Sequence, residues 1–215
     1  MKATRAALFA ASLVLVSGAP VGAGETTTAP TSLALGAKAP MATTKMKTAG
    51  GKEVSIADVK GAKGTLVVFT CNACPWAKKW ESRIVQLGND AGKKGIGMIA
   101  INSNDPNVNA ADGYDEMVVR SKERGMKFAY AYDATSGIAR AFGATRTPEA
   151  FLFDASGKLV YHGTIDDNAD DATAVKDPYL ANAVNAVAGG KAVPVAETKA
   201  LGCGIKFRGS GKTAS

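Results

Sequence analysis

The chain has 215 residues, of which 46% are hydrophobic, and 26 lysines and arginines stand against 19 aspartates and glutamates. This length and composition fit one globular domain with flexible ends, whose core needs no disulfide support. Three cysteines are too few for a disulfide scaffold. The net charge of +7 is scattered and forms no basic stripe, so no nucleic-acid partner is predicted.

The N-terminus has the pattern of a secretory signal peptide. Lys2 and Arg5 supply the positive start, the apolar run AALFAASLVLV follows, and small residues up to Ala23 offer a cleavage site. We therefore predict a signal peptide over residues 1–23 and a flexible linker over residues 24–32. The apolar run is short for a membrane span, which favours cleavage over an uncleaved anchor. The mature protein is then expected to be secreted or periplasmic, without stable membrane insertion.

The first elements of the predicted domain, residues 33–206, are extended. The stretch GGKEVSIADVKG predicts a hairpin strand that leads into a helical turn, and GTLVVFT predicts a fully buried central strand. From Pro75 to about Leu87 the period becomes helical, and Gly88 and Gly92 mark the end of the helix. One face of this helix is apolar and is interpreted as facing the core: Trp76, Trp80, Ile84 and Leu87.

The rest of the domain alternates strands and helices. GIGMIAIN predicts a second buried strand, while DGYDEMVVRSKERG and TSGIARAFG predict helices. EAFLFD and KLVYHG flank the turn ASG as a β-hairpin, and DPYLANAVNAVAGG predicts a closing helix. Residues 207–215 are predicted to form a disordered tail. Strand–helix–strand units followed by a hairpin predict an α/β fold, with a mixed central sheet and helices on both faces.

Cys71 and Cys74 stand where the central strand ends and the helix begins. Reaction sites of open α/β sheets gather at this edge, and a helix N-terminus stabilises a thiolate. The three-residue spacing also lets the two sulfurs bond to each other. A structural zinc site usually takes four ligands, and this chain has one further cysteine and one histidine. The pattern therefore favours a redox pair over a metal site or two inert buried thiols.

Four stretches carry a resemblance to a known family: CNACPWAK, AINSND, YDATSGIARAFGATRTPEAFLFDASGKLVYHGTIDDN and GCGIK. The chain resembles the thioredoxin-fold redoxins, in particular the peroxiredoxin-like, AhpC/TSA-related group with a thioredoxin-type CxxC motif. The resemblance implies a thioredoxin-like fold, here with an N-terminal β-hairpin extension. It also implies that Cys71 is exposed at the helix start with Cys74 behind it. Pro148 is then the cis-proline that faces them, and Thr147 lines the substrate groove with its backbone.

Two further residues are candidates for a role. Cys203, in GCGIK, is either a resolving or auxiliary thiol that pairs with Cys71 or Cys74, or a thiol that packs beneath the C-terminal segment. His162 is the single histidine. A hydrogen-bonded histidine of the sheet is favoured over a metal ligand or a proton-transfer group.

The leading functional hypothesis is an exported thiol–disulfide oxidoreductase. Cys71 attacks a disulfide of a protein or small molecule, Cys74 resolves the mixed disulfide, and no cofactor is needed. One alternative is a peroxiredoxin-like thiol peroxidase with antioxidant activity on peroxides. Another is a copper or other metallochaperone module that uses Cys71, Cys74 and His162, although no resident metal is predicted.

Overall fold

The computed structural model describes residues 32–209 of the chain. The predicted signal peptide, the linker up to residue 31, and residues 210–215 lie outside the described residues.

Seven strands form one mixed sheet in the order β2-β1-β5-β4-β3-β7-β8. The strands β3, β4 and β5 run parallel, whereas the β7–β8 hairpin and the β1–β2 hairpin add antiparallel strands on opposite sides. This is the mixed α/β sheet with an N-terminal hairpin that the sequence predicts. The bounds are β1 Met46–Thr48, β2 Glu53–Val54, β3 Gly64–Phe69, β4 Ile96–Asn102, β5 Ala129–Tyr132, β7 Glu149–Asp154 and β8 Leu159–Gly163, while β6 Arg146–Thr147 and β9 Cys203–Gly204 form a separate antiparallel pair.

Four α-helices cover the two faces of the sheet within the described residues: α1 Pro75–Ala91, α2 Tyr114–Glu123, α3 Gly137–Phe142 and α4 Tyr179–Ala188. On β3, Leu66 and Val68 point into a core shared with α1 and α4, while Val67 and Phe69 point into a core shared with α3. This division follows from the two-residue period of a strand. Both clusters are buried, so β3 is covered on both faces. This explains why its sequence is a continuous apolar run. No helix between residues 32 and 209 has the length and apolar composition to cross a membrane.

Helix α1 begins at Pro75 as predicted, but its length and the burial of one tryptophan differ from the prediction. It continues through Gly88 to Ala91 rather than ending near Leu87. Gly88 is required inside the helix because an added Cβ would lie 2.3 Å from the Met98 sulfur. At the other end Trp76 is 37% exposed, so its core-facing interpretation is wrong, whereas Trp80 is fully buried as predicted. The Trp76 ring packs on Trp80, with a centroid distance of 5.8 Å, instead of against the sheet.

Two structural elements have no counterpart in the prediction. Strand β5 alternates alanine with tyrosine, and its central Tyr130 is buried against Ala100 and Met117. The pair β6–β9 joins two-residue segments that are far apart in the chain. Neither element carries a long β-branched run, and β9 exists only because β6 offers an edge to pair with.

The C-terminal boundary of the domain also differs from the prediction. Arg208, expected in a disordered tail from residue 207, donates from its backbone N–H to Ser136 Oγ at 3.0 Å. Its guanidinium Nη2 donates to the Asn104 carbonyl at 2.7 Å. These bonds hold Arg208 against the domain, because buried loop carbonyls need a donor that arginine supplies.

Candidate functional site

The two cysteines of the CxxC motif lie in the segment that connects β3 to α1. Cys74 is the N-cap residue of α1: its sulfur accepts a hydrogen bond from the Ala77 backbone N–H at 3.4 Å. Pro75 follows at the first helical position, where the missing N–H is not needed. The sequence therefore places the Cys74 sulfur at the positive end of the helix dipole.

Cys71 is buried, which corrects the expectation that it lies exposed at the helix start. Both Cys71 and Cys74 are only 4% exposed. Cys74 nevertheless lines an open cleft of about 220 Å³, together with Pro75 and Cys203, whereas Cys71 lines a separate small pocket that includes Tyr130. The reason is that Cys71 lies two residues after the end of the buried central strand, while Cys74 caps the start of the helix.

Thr147 touches both sulfurs of the CxxC motif. Its hydroxyl lies 3.2 Å from the Cys71 sulfur, and its carbonyl oxygen lies 3.2 Å from the Cys74 sulfur. The Thr147–Pro148 peptide bond is cis, as the resemblance implies. Thr147 does not present an open backbone edge, however. It is 1% exposed and pairs with Cys203 of β9, so the expected groove is filled by the chain's own strand.

Cys203 lies in direct contact with the CxxC pair. It packs against Cys71, Cys74 and Ala77 in one small cluster. Cys203 and Cys74 also line the same cleft. All three cysteines are free thiols in the structure. The structure therefore brings together the three cysteines that the sequence singles out.

Asp112 is a site residue that the sequence analysis missed. Its Oδ1 accepts hydrogen bonds from the backbone N–H groups of Asn72 at 2.7 Å and Ala73 at 2.9 Å, between the two cysteines. Its Oδ2 accepts from Asn104 Nδ2 at 2.8 Å, and the side chain is 1% exposed. In the sequence this aspartate resembles an ordinary helix-start residue, and no local signal places it against a loop some 40 positions earlier.

The electrostatic environment separates the two cysteines of the pair. The hydrogen bond from the Cys71 thiol, with those from Cys203 and from the Ala77 N–H, holds the pKa of Cys74 well below its usual value, although burial opposes this. The same bond to Cys74, together with burial and the Asp112 carboxylate, raises the pKa of Cys71. Negative charge on the pair is therefore held by Cys74.

Glu149 and His162 support the loop that carries Pro148. The Glu149 carboxylate accepts from the Thr145 and Arg146 backbone N–H groups, each at 2.8 Å, and from His162 Nε2 at 2.7 Å. The His162 ring also stacks on Phe151 at 4.4 Å between ring centroids. His162 is thus the hydrogen-bonded sheet histidine that the sequence predicts. Across residues 32–209 there is no group of three or more His, Cys, Asp or Glu side chains that could hold a metal ion.

Comparison with known proteins gives the family. The family model for Redoxin matches residues 34–177, which is more than half of the chain. The chain belongs to the redoxin family. Its fold is thioredoxin-like, and the protein is an oxidoreductase that works through thiol chemistry. The comparison with curated proteins gave no match.

Solved structures share this fold. A hypothetical protein from Sinorhizobium meliloti 1021 is 33% identical, with a TM-score of 0.76 over 83% of this chain and 97% of that chain. An uncharacterized conserved protein from Geobacillus kaustophilus is 34% identical, with a TM-score of 0.77 over 83% of this chain and 94% of that chain. Peroxidoxin BcpB from Mycobacterium tuberculosis, at 14% identity and a TM-score of 0.51 over 63% of this chain and 88% of that chain, shares the fold.

Proposed function

We propose that the protein is an exported thiol–disulfide oxidoreductase in which Cys71 and Cys74 form the dithiol–disulfide couple. The observation that carries this proposal is that Cys71 and Cys74 belong to one buried cluster at the N-terminus of α1, where Thr147 contacts both sulfurs. Sulfurs in such contact can bond to each other after a small movement. The basic and apolar pattern that starts at Lys2 supports export to the periplasm or out of the cell.

The nucleophile in this proposal is Cys74, in place of the Cys71 that the resemblance suggested. Cys74 borders the open cleft, and the Ala77 backbone N–H at the start of α1 donates a hydrogen bond to its sulfur. The thiolate attacks one sulfur of a substrate disulfide, that S–S bond breaks, and one substrate sulfur leaves as a thiolate.

Cys71 then completes the exchange. Its sulfur attacks the Cys74 sulfur of the mixed disulfide, and its proton passes to a departing substrate thiolate. The products are a Cys71–Cys74 disulfide, one substrate thiol and one substrate thiolate, which takes its proton from water. The substrate gains the two electrons that the protein loses. A dithiol donor reverses these steps and restores the reduced pair.

Thr147 and Pro148 are positioning residues in this scheme. The Thr147 hydroxyl lies beside the Cys71 sulfur and its carbonyl beside the Cys74 sulfur, so this one residue sets the relative position of both. Pro148 follows directly and removes a backbone donor from the loop. The partners are thiols and disulfides of proteins or small molecules.

Equilibration with mixtures of reduced and oxidised glutathione tests the proposed couple. In a Cys203→Ser variant we expect one reversible two-electron transition to a Cys71–Cys74 disulfide, identified by peptide mass spectrometry. The midpoint should lie above that of thioredoxin, about −270 mV, because a stabilised thiolate favours the reduced form. The matched Cys71→Ser/Cys203→Ser variant should hold glutathione as a mixed disulfide instead. A protein that stays reduced in every mixture, or that oxidises irreversibly, would contradict the proposal.

A second candidate function is reduction of peroxides. It is favoured by the size of the cleft at Cys74, about 220 Å³, and by β9, which leaves space for a small oxidant but covers the edge of Thr147. The Cys74 thiolate would take one oxygen atom from hydrogen peroxide to give a sulfenic acid and hydroxide. Cys71 would then condense with the sulfenic acid to release water and form a disulfide.

Stopped-flow reaction with hydrogen peroxide decides this second candidate. A peroxidase should oxidise Cys74 at least about 100-fold faster than free cysteine at the same pH, as general catalysis of this kind typically provides. The Cys74→Ser variant is the control and should show no fast phase. A wild-type rate equal to that of free cysteine would reject peroxide as a substrate and leave disulfide exchange as the activity.

A further inference from the structure

We infer that Cys203 is a second resolving cysteine for Cys74. When Cys74 holds a substrate as a mixed disulfide, its sulfur can be attacked by Cys203 from the cleft side as well as by Cys71 from the inner side. This inference rests on the proposed thiol–disulfide exchange at Cys74. It assigns a role to β9, which the exchange through Cys71 and Cys74 alone does not use.

The position of Cys203 is set by strand pairing. In the β6–β9 register Cys203 lies opposite Thr147, the residue whose carbonyl contacts the Cys74 sulfur. Cys203 and Cys74 line the same cleft, whereas Cys71 lines a different pocket. Cys74 therefore has two cysteine neighbours in one small cluster, and Cys203 is the one that shares its cleft.

The segment that carries Cys203 is docked tightly rather than loosely attached. Gly202 approaches Thr147 so closely that an added Cβ would lie 2.2 Å from the Thr147 carbonyl oxygen. Ile205 is buried and donates its backbone N–H to the Thr145 carbonyl at 2.9 Å. The backbone N–H of Lys206 donates to Asn104 Oδ1 at 2.9 Å. Contacts on both sides of Cys203 thus hold its sulfur at the cleft.

The pKa of Cys203 depends on whether Cys74 is charged. Burial, the hydrogen bond to Cys74 and the nearby Cys74 charge raise the pKa of Cys203. In the resting protein Cys203 is therefore held as a thiol that packs beside Cys74. Once Cys74 enters a mixed disulfide it loses its charge, and two of these causes disappear. Cys203 then deprotonates more readily at the moment when a nucleophile is needed.

The chemical step balances without another reactant. The Cys203 thiolate attacks the Cys74 sulfur of a mixed disulfide, the bond from Cys74 to the substrate sulfur breaks, and the Cys74–Cys203 bond forms. The substrate leaves as a thiolate and takes up the proton that Cys203 released. Attack by Cys71 on Cys74 can later move the disulfide to the inner pair and return Cys203 to its thiol form.

Strand β9 also restricts the substrate class. An extended polypeptide could pair with the edge of Thr147 only by displacing Cys203 and Gly204 from it. A small disulfide can reach Cys74 through the cleft while β9 stays in place. The substrates that Cys203 resolves are therefore mixed disulfides of Cys74 with small thiols.

Oxidised glutathione tests the role of Cys203 in two matched variants. After one equivalent of the disulfide, Cys71→Ser should release both glutathione halves and contain a Cys74–Cys203 disulfide. Cys71→Ser/Cys203→Ser should retain one glutathione on Cys74. We expect at least about tenfold less retained glutathione in the first variant, measured by intact-mass and peptide mass spectrometry.

The outcomes separate this inference from the proposed function. Equal retention of glutathione in both variants would overturn the role of Cys203 while leaving exchange at Cys74 intact. If neither variant forms an adduct or a disulfide, the proposed function fails and the inference fails with it. A Gly202→Ala change in the Cys71→Ser background gives a second test that keeps Cys203. Its Cβ would push β9 away from Thr147, so release of the bound glutathione should become several-fold slower.

Discussion

Replacing Cys74 by serine is expected to lower the rate of disulfide exchange on the order of 10³-fold or more, because the variant lacks the attacking thiolate. The helix start should survive the change. Serine is a preferred N-cap residue, and its oxygen can accept the hydrogen bond from the Ala77 N–H that the sulfur now accepts. The loss can therefore be assigned to chemistry rather than to unfolding. The measurement is the rate of thiol release from oxidised glutathione under single-turnover conditions, with circular dichroism to confirm the fold.

The matched control for this prediction is Cys71→Ser. It removes the resolving thiol of the pair but leaves the Cys74 sulfur in the cleft, so the first thiol should still be released at a rate within about tenfold of wild type. Opposite results for the two variants, with Cys71→Ser inactive in the first step and Cys74→Ser active, would restore the order of attack that the family resemblance suggested.

Replacing Asp112 by alanine is expected to destabilise the protein by about 3 kcal/mol or more. The change leaves the backbone N–H groups of Asn72 and Ala73 and the Asn104 amide without their acceptor in a buried site. Hydrogen bonds to a charged group contribute more than neutral ones, and unsatisfied buried donors carry the full cost of desolvation. Denaturant unfolding measures the difference. The exposed Asp115→Ala, three positions along the chain, is the control and should change stability by less than about 0.5 kcal/mol.

Asp112→Asn tests the electrostatic part of the same contact. The amide keeps an acceptor oxygen but removes a negative charge that helps to raise the pKa of Cys71. The Cys71 pKa should therefore fall, and brief alkylation of the reduced protein should label Cys71 more than it does in wild type. The exposed Asp115→Asn should leave the labelling pattern unchanged. If Asp112→Asn also leaves Cys71 unlabelled, burial rather than charge keeps that thiol unreactive.

The parts of this fold that the sequence predicts are those with local signals. Strand β3 is a continuous β-branched and aromatic run, and Pro75 directly after Cys74 indicates a helix start. Together they locate the redox pair at the end of the central strand. Strand β5 escapes prediction because its alternating alanine and tyrosine residues have no strong β signal of their own, and neighbouring strands define it.

The inner arrangement of the site depends on contacts between distant parts of the chain. The motif CNAC does not reveal that Cys71 is buried. This burial is reinforced by the neighbouring Asn72, whose side-chain oxygen accepts a hydrogen bond from the Tyr130 hydroxyl on another strand. The backbone edge of Thr147 is occupied by β9, which lies more than 50 positions later in the chain. A local pattern can nominate Cys71, Cys74 and Cys203, but it cannot tell which sulfur borders the cleft.

The pH dependence of Cys74 has a defined sign. Its pKa in the folded reduced protein lies below that of an unfolded cysteine, about 8.5. The thiolate therefore stabilises the reduced fold fully above that unfolded value, and this contribution is lost as the pH falls through the folded pKa. The reduced protein should become less stable towards acid pH, and the Cys74→Ser variant should lack this part of the dependence.

The most direct test is the pH profile for alkylation of Cys74 in the reduced wild-type protein, with the labelled residue identified by peptide mass spectrometry. An ordinary thiol reacts about 100-fold faster across two pH units below its pKa, because the thiolate fraction rises tenfold per unit. We predict a rate at Cys74 that is nearly constant between about pH 6 and pH 8, since the thiolate is already formed there. A Cys74 rate that instead rises tenfold per unit up to about pH 8.5, or first labelling at Cys71, would contradict the assignment of Cys74 as the attacking thiolate.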